Sequence, residues 1–182
     1  MIKIFISKIQ SRITSEMFIK YIASNYLGIS QQKLDIKKNE YGKPFLANFP
    51  SIHYNVSHTK GLIVCAISDR CIGIDVEKKR TLNKGIVERF FSKSEKHYVF
   101  LSEEYQDERF SEIWTKKEAY VKWLGMGMDM PFESFDICDD GNTKKMQSFS
   151  YDNYYISVFY EGFGMEIIDE CSFSNTDRFP IT

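Results

Sequence analysis

Three short stretches of the chain hold side chains that could act on a phosphate. In Ile72-Gly73-Ile74-Asp75-Val76-Glu77 the two-residue period of a strand sends Ile72, Ile74 and Val76 to one face and Gly73, Asp75 and Glu77 to the other. Asp75 and Glu77 then stand roughly 6–7 Å apart at their Cα atoms, so both carboxylates can converge on one hard cation. Mg²⁺ suits such a site because it keeps several waters and takes its other ligands from phosphate oxygens; Mn²⁺ would serve in the same oxygen-rich setting. In Trp114-Thr115-Lys116-Lys117-Glu118-Ala119-Tyr120-Val121-Lys122, Glu118 and Lys122 lie one helical turn apart on the face that also carries Trp114. In Asn55-Val56-Ser57-His58-Thr59-Lys60 a hydroxyl, an imidazole and an ammonium crowd a strand-to-turn segment where a phosphate could be held. Each stretch also has an ordinary reading: a solvated strand edge, an i,i+4 pair contributing roughly 0.2–0.5 kcal/mol, an incidental histidine.

The elements that must position these groups can be read from periodicity. Met17, Phe18, Tyr21, Ile22 and Tyr26 fall at helical spacing after Thr14 or Ser15, with Gly28 as the stop. Segments 52–56, 62–67 and 71–77 read as three close, hairpin-linked strands. A basic connector with a short helix near 87–91 follows, and Ser92 and Glu95 have capping-box spacing at the head of the next helix. Phe110, Ile113, Trp114, Val121 and Leu124, closed by Gly125, mark the strongest helix, over 107–124. The segments 132–138, 147–149, 154–160 and 165–168 read as a final β meander. The fold class is α+β.

At 182 residues, 43% of them hydrophobic and 15% aromatic, the chain can bury a core and does not read as disordered. No apolar run approaches the roughly 18–20 residues of a membrane span, and the opening residues alternate like a strand, unlike a signal peptide. A cytoplasmic, non-membrane protein is expected. Cys65, Cys71, Cys138 and Cys171 form no CxxC pair and read as reduced core thiols. The net charge of -1 hides a split: residues 1–60 hold nine basic and three acidic residues, which leaves fifteen and twenty-two of the totals of 24 and 25 for the remainder. One end could hold anions and the other a cation. Near-neutrality and the lack of an extended basic stripe argue against nucleic acid as a partner.

In order along the chain, Tyr41-Gly42-Lys43-Pro44, Tyr54-Asn55-Val56-Ser57-His58, Gly73-Ile74-Asp75-Val76-Glu77, Arg89-Phe90-Phe91-Ser92-Lys93-Ser94-Glu95 and Trp114-Thr115-Lys116-Lys117-Glu118-Ala119 resemble the blocks of the 4'-phosphopantetheinyl transferase superfamily. The resemblance is to its monomeric, surfactin-synthetase-activating type, and it runs from about residue 12 to about residue 137. It implies a Mg²⁺-dependent enzyme that moves the phosphopantetheine arm of coenzyme A to a serine of an apo carrier protein, an acyl or peptidyl carrier domain, and releases 3',5'-ADP. It also implies a pseudo-dimer of two similar α+β halves, 1–92 and 93–182, with the active site at their interface. Asp75, Glu77 and Glu118 would be the metal ligands. Glu118 would take the serine proton, Lys122 would stabilise phosphate charge, and Glu95 matches a further family acid. Arg12, Lys43, Ser57 and His58 would surround the coenzyme, with Arg80 and Lys117 as further contacts. The family carries a longer basic segment before the position of Arg12, which implies a weaker grip on the 3'-phosphate here. The basic run 78–93, interleaved with Ile86, Val87, Phe90 and Phe91, would receive an acidic carrier. Two other readings use the same residues: a Mg²⁺-dependent phosphohydrolase, and a non-catalytic module that binds coenzyme A or a carrier.

Overall fold

The computed structural model describes residues 1–9, 13–127, 130–143, 145–162 and 164–169. Strands β1 (Ile2–Lys8), β4 (His53–Thr59), β5 (Leu62–Ser68) and β9 (Met165–Asp169) form one sheet in the order β4-β5-β1-β9. Strands β6 (Ile72–Lys78), β7 (Met146–Tyr151) and β8 (Tyr154–Tyr160) form a second sheet in the order β6-β8-β7. A two-stranded ribbon of β2 (Ile36–Lys38) and β3 (Pro44–Leu46) stands beside them. The sequence had marked the second of these segments only as a turn, because three-residue strands are too short to show a period.

Helix α1 (Ser15–Leu27) starts where the Thr14 hydroxyl accepts the Met17 N–H at 3.2 Å, and it lays Phe18, Ile19 and Ile22 on Phe5, Ile63, Cys65 and Ile67 of the first sheet. The opposite face of that sheet, with Ile2, Ile4, Ile6, Leu62, Val64 and Ala66, packs on Ile72, Ile74, Val76, Ile156 and Val158 of the second. Helices α2 (Lys84–Phe90), α3 (Lys93–Phe100) and α4 (Gln106–Leu124) cover the far side of the second sheet, around Phe110, Ile113, Ala119 and Phe159. The layers are therefore helix, sheet, sheet, helix. This order explains why β5 is buried along its whole length: both of its faces are covered.

Several expectations are corrected. β4 and β5 pair as a hairpin, but β6 leaves for the other sheet and pairs with β8. β7 and β8 pair antiparallel, whereas β9 runs parallel to β1 and does not extend a meander. A two-residue period tells which face a residue occupies and says nothing of which strand lies alongside. A strand over 132–138 is not formed. Phe132 to Ser134 is a single 3₁₀ turn, with Phe132 packed on Phe90 and Trp114 and Phe135 on Tyr120 instead of along a strand edge, and Asp140 to Thr143 is one helical turn. β6 sits in one sheet with β7 and β8, and β9 sits in the other with β1. Cys65 is buried, but Cys71 is exposed and Cys138 half-buried, and Cys171 lies outside the described residues. Among the described residues no helix is long and apolar enough to cross a membrane.

Candidate active site

Strand parity on β6 places Gly73 and Asp75 under helix α4, and Gly73 sets how close that helix can come. A Cβ there would lie 2.0 Å from the Ala119 carbonyl oxygen and 2.4 Å from the Trp123 nitrogen. Only a glycine fits beneath the helix. The approach brings the Lys122 ammonium to 2.7 Å from Asp75 Oδ1 and 2.9 Å from Ser57 Oγ, which itself donates to Asp75 Oδ1 at 2.8 Å. Asp75 is only 5% exposed, and its second oxygen, Oδ2, is buried with no hydrogen-bond partner among the described residues. A buried carboxylate oxygen left unpaired is costly unless a donor or a cation completes it. Glu77, one strand period further out, is paired with the Arg80 guanidinium.

Glu118 stands one turn before Lys122 on α4 and is half-buried. Burial, reinforced by the Asp75 charge, pushes its carboxyl up to about 7. Three carboxylates thus share one corner with a single lysine and a single arginine. Among the described residues no three His, Cys, Asp or Glu are drawn together closely enough to hold a metal ion, since Lys122 lies against Asp75 and Arg80 against Glu77.

The structure places the expected coenzyme residues unevenly. Ser57 belongs to the Asp75 corner. His58 is exposed at the other side of β4, with Nδ1 3.5 Å from Ser15 Oγ at the start of α1. Lys43 Nζ is already occupied: it donates to the carbonyl oxygens of Ile72 at 3.1 Å, Lys122 at 2.5 Å and Trp123 at 3.3 Å. Burial holds its pKa below the usual lysine range. Together with Asn39, whose amide donates to the Gly125 carbonyl at 3.1 Å, it caps the C-terminal end of α4, which Gly125 closes with a left-handed φ of 72°. Arg12 lies outside the described residues.

Glu95 and Lys117 are corrected as site residues. Both side chains are 0% exposed and they pair at 2.7 Å. Glu95 also accepts the N–H groups of Ser92 and Ile137, and Lys117 also donates to the Phe135 carbonyl. With every such contact made inside the protein, neither can face a substrate. On the basic run, Val87 and Phe91 are core residues at 0% and 4% exposure, while Phe90 stays half-buried against Trp114 and Phe132.

Two grooves border the corner. One, of about 260 Å³, runs between Tyr41, Pro44, Asn55, Glu118 and Lys122. The other, of about 360 Å³, runs from Asn55 and Pro44 to Ser15 and Lys38 at the head of α1. Asn55 lines both, although no chemistry is expected of it from the sequence. Its signal was available: it shares strand parity with Ser57, so both must face the same side of β4.

Residues 71–171 match the 4'-phosphopantetheinyl transferase superfamily, and residues 3–70 match the 4'-phosphopantetheinyl transferase N-terminal family. The two matches meet where the chain leaves β5 for β6. The chain is 40% identical to the 4'-phosphopantetheinyl transferase gsp of Aneurinibacillus migulanus over 67% of its own length and 51% of that protein's. It is 35% identical to a 4'-phosphopantetheinyl transferase of Bacillus subtilis over 70% of its length and 58% of the relative's. With the 4'-phosphopantetheinyl transferase Sfp of Bacillus subtilis (strain 168) it shares 32% identity over 67% and 55% of the two lengths. The chain spans about half the length of the curated relatives it matches.

Proposed function

Since the chain belongs to the 4'-phosphopantetheinyl transferase superfamily, we propose that it moves the phosphopantetheine arm of coenzyme A onto a serine hydroxyl of an apo carrier protein, leaving 3',5'-ADP. The observation that carries this reading is the corner at Asp75: a buried carboxylate with one unpartnered oxygen, next to a desolvated Glu118 and the Lys122 ammonium. The orphaned Oδ2, with the Glu77 and Glu118 carboxylates in the same corner, supplies oxygen donors of the kind Mg²⁺ takes; the three would have to draw together, Lys122 leaving Asp75 and Arg80 leaving Glu77, to hold one ion. Mg²⁺ held by these three would neutralise charge on the pyrophosphate of the coenzyme.

The chain's own residues supply the rest. Lys122, freed from Asp75, would hold phosphate charge as the phosphorus–oxygen bond to the leaving 3',5'-ADP breaks. Glu118, half-buried beside Asp75, would accept the serine proton as the hydroxyl oxygen attacks phosphorus. Ser57 steadies Asp75, and His58, 3.5 Å from the Ser15 hydroxyl that lines the second groove, would stand where the 3'-phosphoadenosine lies. Lys43 caps α4 and also lines the groove beside Glu118 and Lys122, where it would stand against the coenzyme. The carrier would approach over α2, where Arg89 stacks on the half-exposed Phe90 at 5.0 Å. In this reading the protein is a cytoplasmic monomer.

The test is intact-mass measurement of apo carrier proteins incubated with coenzyme A, Mg²⁺ and the protein. Addition of one phosphopantetheine, lost on chelation and in Asp75→Ala, is the expected result. No mass gain on any acyl or peptidyl carrier, with release of inorganic phosphate from the coenzyme, would overturn it in favour of a phosphohydrolase.

A further inference from the structure

Asn55 is a carboxamide only 7% exposed, at a place where two strands run side by side without a ladder. β4 and β6 belong to different sheets. What joins them is side chain to backbone: Asn55 Oδ1 accepts the Ile74 N–H at 2.9 Å, and Ser57 Oγ accepts the Val76 N–H at 3.4 Å. These two amides flank Asp75 and face away from β8. In a buried strand edge such N–H groups must find an acceptor, and here the acceptors are supplied by alternate residues of β4.

The bond to Ile74 also fixes which way round the carboxamide sits. With Oδ1 on an N–H donor, the amide nitrogen is turned the other way. Among the described residues no protein group accepts from Nδ2. Asn55 lines the grooves that Glu118 and Lys122, on one side, and Ser15, on the other, border.

We propose that Asn55 performs two tasks at this site: its carbonyl oxygen pins the backbone of β6 next to Asp75, and its amide group donates to an anionic oxygen of a phosphate-bearing ligand in the groove. The identity of that ligand as coenzyme A rests on the function proposed above. A neutral donor suits the position, because it binds an anionic oxygen without adding a charge that would compete with Lys122 for Asp75.

Asn55→Asp separates the two tasks. It keeps the size and the acceptor for the Ile74 N–H, and it replaces the donors with a carboxylate. Asn55→Ala removes both, with Asn55→Ser in its place should the alanine variant not fold. Two quantities are read on each variant of the 182-residue chain: affinity for coenzyme A and for 3',5'-ADP by calorimetry, and amide hydrogen exchange at Ile74. For Asn55→Asp we expect wild-type exchange at Ile74, a lower thermal midpoint from the added carboxylate beside Asp75, and both ligands bound at least about tenfold more weakly. For Asn55→Ala we expect the same loss of affinity and faster exchange at Ile74. Unchanged affinity in Asn55→Asp, beside normal binding by the wild type, overturns the ligand contact. Unchanged exchange in Asn55→Ala overturns the pinning. A wild type that binds neither ligand overturns the transferase reading and the ligand contact with it, while the exchange result still decides the pinning.

Discussion

A carboxylate and an ammonium removed from water together must satisfy each other, and Glu95 and Lys117 do so with a backbone N–H on one side and a carbonyl on the other. Glu95→Gln leaves the Lys117 charge buried with too little compensation. We expect a loss of about 3–5 kcal/mol in urea unfolding, and a Tm lower by roughly 6–20 °C. Adding Lys117→Met should recover part of that loss, which a purely local Glu95 effect would not allow. The thiol of Cys138 offers a pH-dependent check. Burial pushes it up to about 11, and Asp136 and Glu95 act in the same direction. The folded protein therefore keeps a proton that the unfolded chain releases as pH passes the ordinary thiol range. Stability should fall between that range and about pH 11, and the fall should be shallower in Cys138→Ala, as unfolding curves taken at a series of pH values will show.

At the scale of elements, the contact of α4 with β6 decides whether a site exists. The parity of β6 and the turn spacing of α4 were both present in the chain, so Asp75, Glu118 and Lys122 could be picked out as facing residues. The 2.0 Å clearance at Gly73 could not, because it depends on where two elements distant in sequence meet. Gly73→Ala should push the helix off the strand, part Lys122 from Asp75 and cost about 3 kcal/mol. A drop in Tm of roughly 6–12 °C with loss of coenzyme A binding is expected; a variant with the wild-type midpoint would show that α4 does not rest on that glycine. Lys43 is likewise placed by contacts distant in sequence. Its three carbonyl partners come from β6 and α4, and no local pattern announces them.

For the whole molecule, the central core is shared between the two sheets, and it draws on residues 2–6 and 62–66 as well as on 72–76 and 156–160. Each part alone would leave an apolar face in water, and β9 returns from the end of the described chain to pair with β1. Fragments 1–70 and 71–182, made separately, should show no cooperative unfolding transition by circular dichroism. Mixed, they should recover one, and a cooperative transition in either fragment alone would refute the shared-core account.

Composition, strand parity and helical spacing determined by themselves that the chain is α+β, that α1 and α4 are helices, and which face of β6 carries the carboxylates, because these are properties of neighbours in sequence. The order of motifs likewise sufficed to place the chain in its superfamily. Only the tertiary structure decided that β6 leaves its neighbours for β8, that Asp75 is buried beneath α4, that Lys43 caps a helix and that Glu95 and Lys117 are spent on each other. Each of those outcomes is set by burial and by partners far along the chain, and local periodicity carries information about neither.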